Sequence, residues 1–263
     1  MSPADSAPAT PSDQVLLESR EDEVLVLTLN RPSKRNALSL ELCERITESV
    51  TSAASATSAT SPSRSPRAIV VTGTGTSFCA GADLDEVYGE QFLAALQGMV
   101  RAITRAPVPV VAAVNGPAIG GGTQLALACD LRVATDRAVF AIPTARNGLA
   151  VDPWTIRRLG DIVGGGHARG MLLAAESLDL TAALAGGLVQ REGGLDAALA
   201  LAHDLARLAP LSLAYAKRVL NHPELPEDDA TLQADFHACF ASEDAAEAGD
   251  ARLQRRPPEF RGR

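Results

Sequence analysis

Two periods of hydrophobic and polar positions organise the chain. In residues 23–30, EVLVLTLN, β-branched content and alternation predict a strand. The apolar run AIVVT at 68–72, ended by Gly73, reads as a buried-type strand. VVAAV at 110–114, closed by Asn115-Gly116, is another short strand, and LRVA at 131–134 a further one. Between these runs the apolar spacing becomes helical. Ser39 is placed to cap a helix reaching about Thr51, with Glu41 in its first turn. A helix is expected from Asp85 to about Arg105, where Pro107 and Pro109 stop it, and another over 121–129. From Asp152 onward the pattern is mostly helical, most clearly at 195–208, 211–220 and 228–255. Mixed elements first and helices last predict an α/β fold with a helical C-terminal region.

Length and composition narrow the class. The chain has 263 residues, of which 46% are hydrophobic, enough for a full core and too many for a disordered chain. That length predicts one large domain or one domain with an appendage. Residues 1–13 are Ser/Ala/Pro/Asp-rich and are expected to form a disordered tail. Residues 14–200 are expected to form the core and 201–263 a helical appendage; the segment 51–67, TSAASATSATSPSRSPR, reads as a frayed helix end and a long loop. A net charge of −8 and a pI near 5.1 argue against a general nucleic-acid binder. No apolar run approaches a membrane span, and the polar start does not resemble a signal peptide, so a cytoplasmic location is expected. Cys43, Cys79, Cys129 and Cys239 are widely spaced and read as small buried hydrophobes, with neither disulfides nor a metal site expected. His167, His203, His222 and His237 show no metal spacing.

Two glycine-rich turns carry the candidate chemistry. In TGTGTSFCAGADL, residues 72–84, a buried strand ends and the chain turns through Ala80-Gly81-Ala82-Asp83. In NGPAIGGGTQLALACD, residues 115–130, Gly120-Gly121-Gly122 opens a helix. First-turn N–H groups lack internal partners and lie at the positive end of the helix dipole, so such a turn suits an anion or an oxyanion. A plain strand–helix turn is the competing reading, although three glycines in a helix start weigh against it. The P-loop, the dinucleotide fingerprint, the G-x-S-x-G elbow and H-E-x-x-H are all absent from the sequence.

The residues Leu29-Asn30-Arg31-Pro32 with Arg35-Asn36-Ala37-Leu38, then Phe78 to Leu84, Pro109 to Gly116, and Gly120-Gly121-Gly122 through Cys129-Asp130-Leu131-Arg132 carry a resemblance. With these four motifs in order, the chain resembles the enoyl-CoA hydratase/isomerase, or crotonase, family from about residue 15 onward. The resemblance implies a spiral of ββα units followed by trimerising helices, as a homotrimer or a dimer of trimers. It implies an acyl-CoA thioester as ligand, with no cofactor beyond that coenzyme A. By motif position, the N–H groups of Ala82 and Gly121 would form the hole for the thioester oxygen.

Two departures from the family pattern bear on activity. The resemblance implies a glutamate in GGG-x-E and another in F-x-x-P-E, but here Gln124 and Thr144 stand at those positions. Neither side chain accepts a proton near neutral pH, and each lost acid–base group typically removes about 10²–10⁴ in rate. Gln124, near-isosteric with glutamate, could hold a water or a carbonyl by hydrogen bonding, but the favoured reading takes Gln124 and Thr144 as polar pocket lining. Asp152, in G-L-x-x-D, matches the position of a catalytic aspartate in some isomerases of the family; followed by Pro153, it also reads as an N-cap. Trp154 either closes an acyl pocket or belongs to the core. The segments 148–159, 207–221 and 255–262 resemble actinobacterial hydratase homologues lacking both glutamates, which implies binding or delivery of long acyl-CoA in fatty-acid or mycolic-acid metabolism.

Coenzyme A is polyanionic, so an acidic protein needs local basic groups. The family uses a basic residue after the first strand and one near the C-terminus from a neighbouring subunit; Arg31 and Arg255 are the nearest matches, with solvated surface charge as the alternative. The resemblance extends the substrate-binding set to Arg35, Ala37, Ala80, Asp83 and Leu84. Three readings follow: an acyl-CoA binder with little turnover, an active isomerase or weak hydratase, and a scaffold for lipid-synthesis enzymes. The intact glycine turns argue against a pure scaffold.

Overall fold

The computed structural model describes residues 14–57 and 65–263. The tail expected at 1–13 lies outside the described residues, as do residues 58–64 of the expected loop. The main sheet starts with β1 (Leu16–Glu21), antiparallel to β2 (Val24–Leu29). It continues in parallel through β3 (Ala68–Gly73), β4 (Val110–Val114), β6 (Leu131–Ala134) and β9 (Arg191–Glu192). A second sheet of three short strands holds β5 (Ala118–Ile119), β7 (Val139–Ala141) and β8 (Ser177–Asp179) in that order.

Side-chain alternation in the central strands serves two cores at once. Leu27, Ile69, Val71 and Val110 face α1 (Leu40–Thr57), α2 (Glu90–Arg105) and α3 (Gly121–Ala128). Val26, Val70 and Val111 face the other way, against Ala198, Leu201 and Ala202 of α6 (Leu195–Ala206). Every residue of β3 and β4 is buried, which is why these strands are apolar but for Thr72, whose hydroxyl donates to the Ala113 carbonyl at 3.0 Å. β1 gave no sequence signal because it is an edge strand with a mostly exposed, polar sequence, LLESRE.

Several boundaries differ from the expected ones. The Ser39 hydroxyl accepts the Leu42 N–H at 3.2 Å and caps α1 as expected, but the helix runs on to Thr57. α2 starts at Glu90, not Asp85. Asp83 and its followers form successive turns, and Gly89 is extended (φ −82°, ψ 134°), so no helical hydrogen-bond chain passes through it. The expected helix over 228–255 is two helices, α8 (Ala230–Ala241) and α9 (Glu243–Gln254). Ser242 is extended between them and accepts the Ala245 N–H at 3.0 Å, a capping signal inside an apparently continuous segment.

The C-terminal helices are tied to the core by charge as well as packing. Lys217, on α7 (Pro210–Asn221), is buried and pairs with Asp130 at 2.7 Å while donating to the Val108 carbonyl at 2.9 Å. The last residues fold back on their own chain: Arg261 and Gly262 N–H groups donate to the buried Asp244 carboxylate at 2.6 and 2.8 Å. No single helix among the described residues is long and apolar enough to cross a membrane.

Candidate functional site

The two glycine-rich turns meet edge to edge. Leu38 bridges to Ala82 and Cys79 bridges to Ala118, both in parallel register. Leu38 N–H donates to the Gly81 carbonyl and Asp83 N–H to the Leu38 carbonyl, each at 2.7 Å. These two bonds flank Ala82 and use neither of its own polar groups. From the other turn, Ile119 N–H donates to the Cys79 carbonyl at 3.0 Å. A Cβ placed on Gly121 would lie 3.4 Å from the Ala82 nitrogen, and one on Gly81 would lie 3.8 Å from the Gly121 nitrogen. The amides of Ala82 and Gly121 are therefore neighbours, and among the described residues neither N–H has an acceptor.

Close approach explains the glycine run. Gly120 takes φ +53°, ψ −113° ahead of α3, and a Cβ on Gly122 would sit 2.1 Å from the Cys79 carbonyl oxygen. Only a glycine lets the backbone of α3 lie that close to the first turn. Cys79 itself is fully buried, and burial pushes its thiol up to about 12, so it fills space rather than acting as a nucleophile.

One helical turn beyond Gly121, Gln124 is 5% exposed and enters a closed polar network. Its Nε2 donates to Asp152 Oδ2 at 3.0 Å and to Thr155 Oγ1 at 2.9 Å. The Thr155 hydroxyl donates to the same Asp152 oxygen at 2.6 Å, and the Thr155 N–H donates to Asp152 Oδ1 at 3.1 Å. Asp152 thus caps α4 (Pro153–Leu173), and both of its oxygens are occupied. Of the two roles the sequence left open for Asp152, capping is the one this geometry displays. Thr155 was not singled out from the sequence; the only local signal was its place three residues after the Asp-Pro start. Thr144 opens a 3-10 turn (Thr144–Asn147) and is half-buried, and Trp154 is half-buried against the main core.

The remaining candidates separate into held and free groups. Arg31 donates Nη1 to the Ala37 carbonyl and Nη2 to Asp83 Oδ2 at 2.8 Å. Asp83 is 6% exposed, and the Arg31 hydrogen bond holds its carboxyl below the usual carboxylate range. Lys34 lies 3.7 Å from the other Asp83 oxygen and 3.1 Å from Asp85. Arg35 is exposed in a left-handed conformation, its carbonyl accepts the Ala80 N–H, and its guanidinium has no partner among the described residues. Leu84 is 76% exposed beside the Ala82 turn. Arg255 caps α9 at the far end of the chain and is exposed, with no contact linking it to the glycine turns. Of the cysteines, Cys239 is half-buried rather than buried, since it lines an apolar groove of about 430 Å³ between α7, α8 and α9 with Tyr215, Phe236 and Phe240. Among the described residues no group of His, Cys, Asp and Glu is placed to hold a metal ion.

The family model for enoyl-CoA hydratase/isomerase matches residues 19–263. The chain belongs to that family. It is 44% identical over 246 residues to the protein named "Probable enoyl-CoA hydratase echA6" of Mycobacterium tuberculosis (strain CDC 1551 / Oshkosh), covering 93% of this chain and 98% of the relative. It is 37% identical over 260 residues to the 2,3-dehydroadipyl-CoA hydratase of Escherichia coli (strain K12), covering 94% and 99% of the two chains. Among solved structures, an enoyl-CoA hydratase from Mycobacterium tuberculosis H37Rv superposes with a TM-score of 0.82 at 28% identity, covering 95% of this chain and 99% of that one. The fold is accordingly the crotonase fold, and the C-terminal helices occupy the family's trimerisation region. In this crotonase-family chain, the two turns that meet at Ala82 and Gly121 both fall within the matched residues.

Proposed function

We propose that the protein binds acyl-CoA thioesters, holding the thioester oxygen between the Ala82 and Gly121 amides, with little or no hydratase turnover. The observation that carries this reading is the pair of adjacent backbone N–H groups without acceptors. A thioester oxygen accepts two hydrogen bonds, and two fixed donors in a sheltered turn stabilise the charge it gains. Family membership supports the ligand class.

The Gln124 network sets the limit on chemistry. Adding water across an enoyl double bond needs a group that takes a proton and one that returns it. Gln124 has neither capacity, and both of its amide hydrogens are spent on Asp152 and Thr155. Asp152 is held by three donors, which leaves it poorly placed to swing toward a substrate carbon. Thr144 offers only a hydroxyl. The Arg35 guanidinium, exposed and without a partner among the described residues, is available for the coenzyme A phosphates, and Arg255 would serve only across a subunit boundary. The apolar groove on α7–α9, with Phe240 exposed, supports the reading as a homotrimer or a dimer of trimers. A role in cytoplasmic fatty-acid metabolism, with no cofactor beyond the coenzyme A of the substrate, belongs to the same proposal.

Titration calorimetry with a saturated acyl-CoA, alongside the absorbance of an enoyl-CoA, tests this. Binding without loss of enoyl absorbance is expected. Absence of binding contradicts it. Conversion of 3-enoyl-CoA that vanishes in Asp152→Asn would instead assign isomerase activity to Asp152.

A further inference from the structure

We propose that Arg31 and Asp83 are positioning residues for the Ala82 amide: their ion pair fixes the turn that presents this N–H to a thioester oxygen. This rests on the reading of the site as a thioester hole. Arg31 and Asp83 are 52 residues apart and come from different loops, one after β2 and one after β3. The guanidinium fork spans them. One nitrogen holds the carbonyl of Ala37, the residue before Leu38; the other holds the carboxylate of Asp83, the residue after Ala82. Leu38 and Ala82 are the bridged pair between those two grips.

The clamp is reinforced from both sides. Buried Asn36 accepts the Arg31 N–H at 2.9 Å and donates to the Thr74 and Ser77 carbonyls at 2.9 and 2.8 Å, tying the Arg31 loop to the strand end that leads into Ala82. On the far side the Asp85 N–H donates to Asp83 Oδ1 at 3.3 Å. Leu38 and Asp83 supply the backbone bonds on either side of Ala82, so its amide is the one left to face a ligand. A donor that must sit within about half an ångström of its target needs such support. The Arg31 side chain is 18% exposed and both of its terminal nitrogens are engaged in these grips, so the clamp itself accounts for its position.

The test separates the thioester oxygen from the rest of the ligand. It uses an acyl-CoA and the S-alkyl thioether of coenzyme A with the same chain length, which lacks the carbonyl. The ratio of the thioether's dissociation constant to that of the acyl-CoA reports the carbonyl contacts alone. Arg31→Gln and Asp83→Asn are expected to reduce this ratio at least tenfold while leaving thioether affinity within about twofold. Arg31→Lys keeps the charge but not the fork and is expected to fall between, and it serves with Asp83→Asn if Arg31→Gln does not fold. Equal weakening of both ligands by Arg31→Gln would mean that Arg31 contacts the coenzyme instead, overturning the proposal. An unchanged ratio in the variants would overturn it as well. A ratio near one in the unaltered protein would overturn the thioester-hole reading, and the positioning role with it.

Discussion

Single residues decide whether two backbone segments come close enough to act together. Gly122 packs with its Cα against the Cys79 carbonyl, where any Cβ would collide at 2.1 Å. Gly122→Ala should therefore force the two turns apart and lower stability by about 1–3 kcal/mol, the usual range for overpacking. The midpoint of urea unfolding checks this, and acyl-CoA binding should fall with it. Gln124 illustrates the opposite case, in which a polar side chain suits its place because it cannot ionise. Gln124→Glu would set a second carboxylate about 3 Å from Asp152. Both cannot ionise together, so the pair would keep a proton that the unfolded chain releases above the usual range near pH 4.3. The folded state would then bind more protons than the unfolded one, and the variant should lose stability relative to the unaltered protein as pH rises from about 4 to about 7. Melting temperatures across that range read the effect; parallel curves would show that Asp152 does not face residue 124 as described.

At the scale of elements, local pattern and tertiary pairing part company. The apolar runs of β3 and β4 and the glycine run of α3 were legible because burial on both faces and close backbone approach each demand a residue type. β1 was not, since an exposed edge strand shares its polar composition with loops. The start of α2 was misplaced because the turns after Asp83 are held by contacts to Arg31 and Leu38, which no local pattern announces. The same holds at the site. The Ala82 and Gly121 turns could be found from motif and chemistry, whereas the Gln124–Asp152–Thr155 network joins residues 28 and 31 positions apart and needed the fold. The Arg31–Asp83 bond likewise joins two loops and carries a pH signature. Arg31 lowers the Asp83 carboxyl in the folded state, so its stabilising contribution is full above the usual aspartate range and is lost as pH falls through the lowered value. Asp83→Asn should lower the melting temperature at neutral pH, with the difference shrinking in strong acid. A difference that grows toward acid would contradict the pairing.

For the whole molecule, the question is what fastens the C-terminal helices to the sheet. Lys217 reaches in from α7 to Asp130 and the Val108 carbonyl, next to the β4 strand whose Val110 N–H also binds Asp130. Lys217→Met should lower stability by about 1.5–3 kcal/mol, the range for hydrogen bonds to a charged group. A denaturant midpoint measures it, and an unchanged midpoint would show that packing alone holds α7. The cysteines report the same compactness. Burial pushes the Cys43, Cys79 and Cys129 thiols up to about 12, while Cys239 lies half-buried in the α7–α9 groove. A thiol reagent at neutral pH should modify Cys239 first and the others only after unfolding, as mass spectrometry of the labelled protein can establish.

The most direct measurement is the infrared band of a ¹³C-labelled thioester carbonyl on a bound acyl-CoA. Two amide donors on the oxygen weaken the C=O bond, so the band should move to lower wavenumber on binding while the ligand is recovered chemically unchanged. A bound ligand whose carbonyl absorbs where it does in an aprotic solvent would contradict the account.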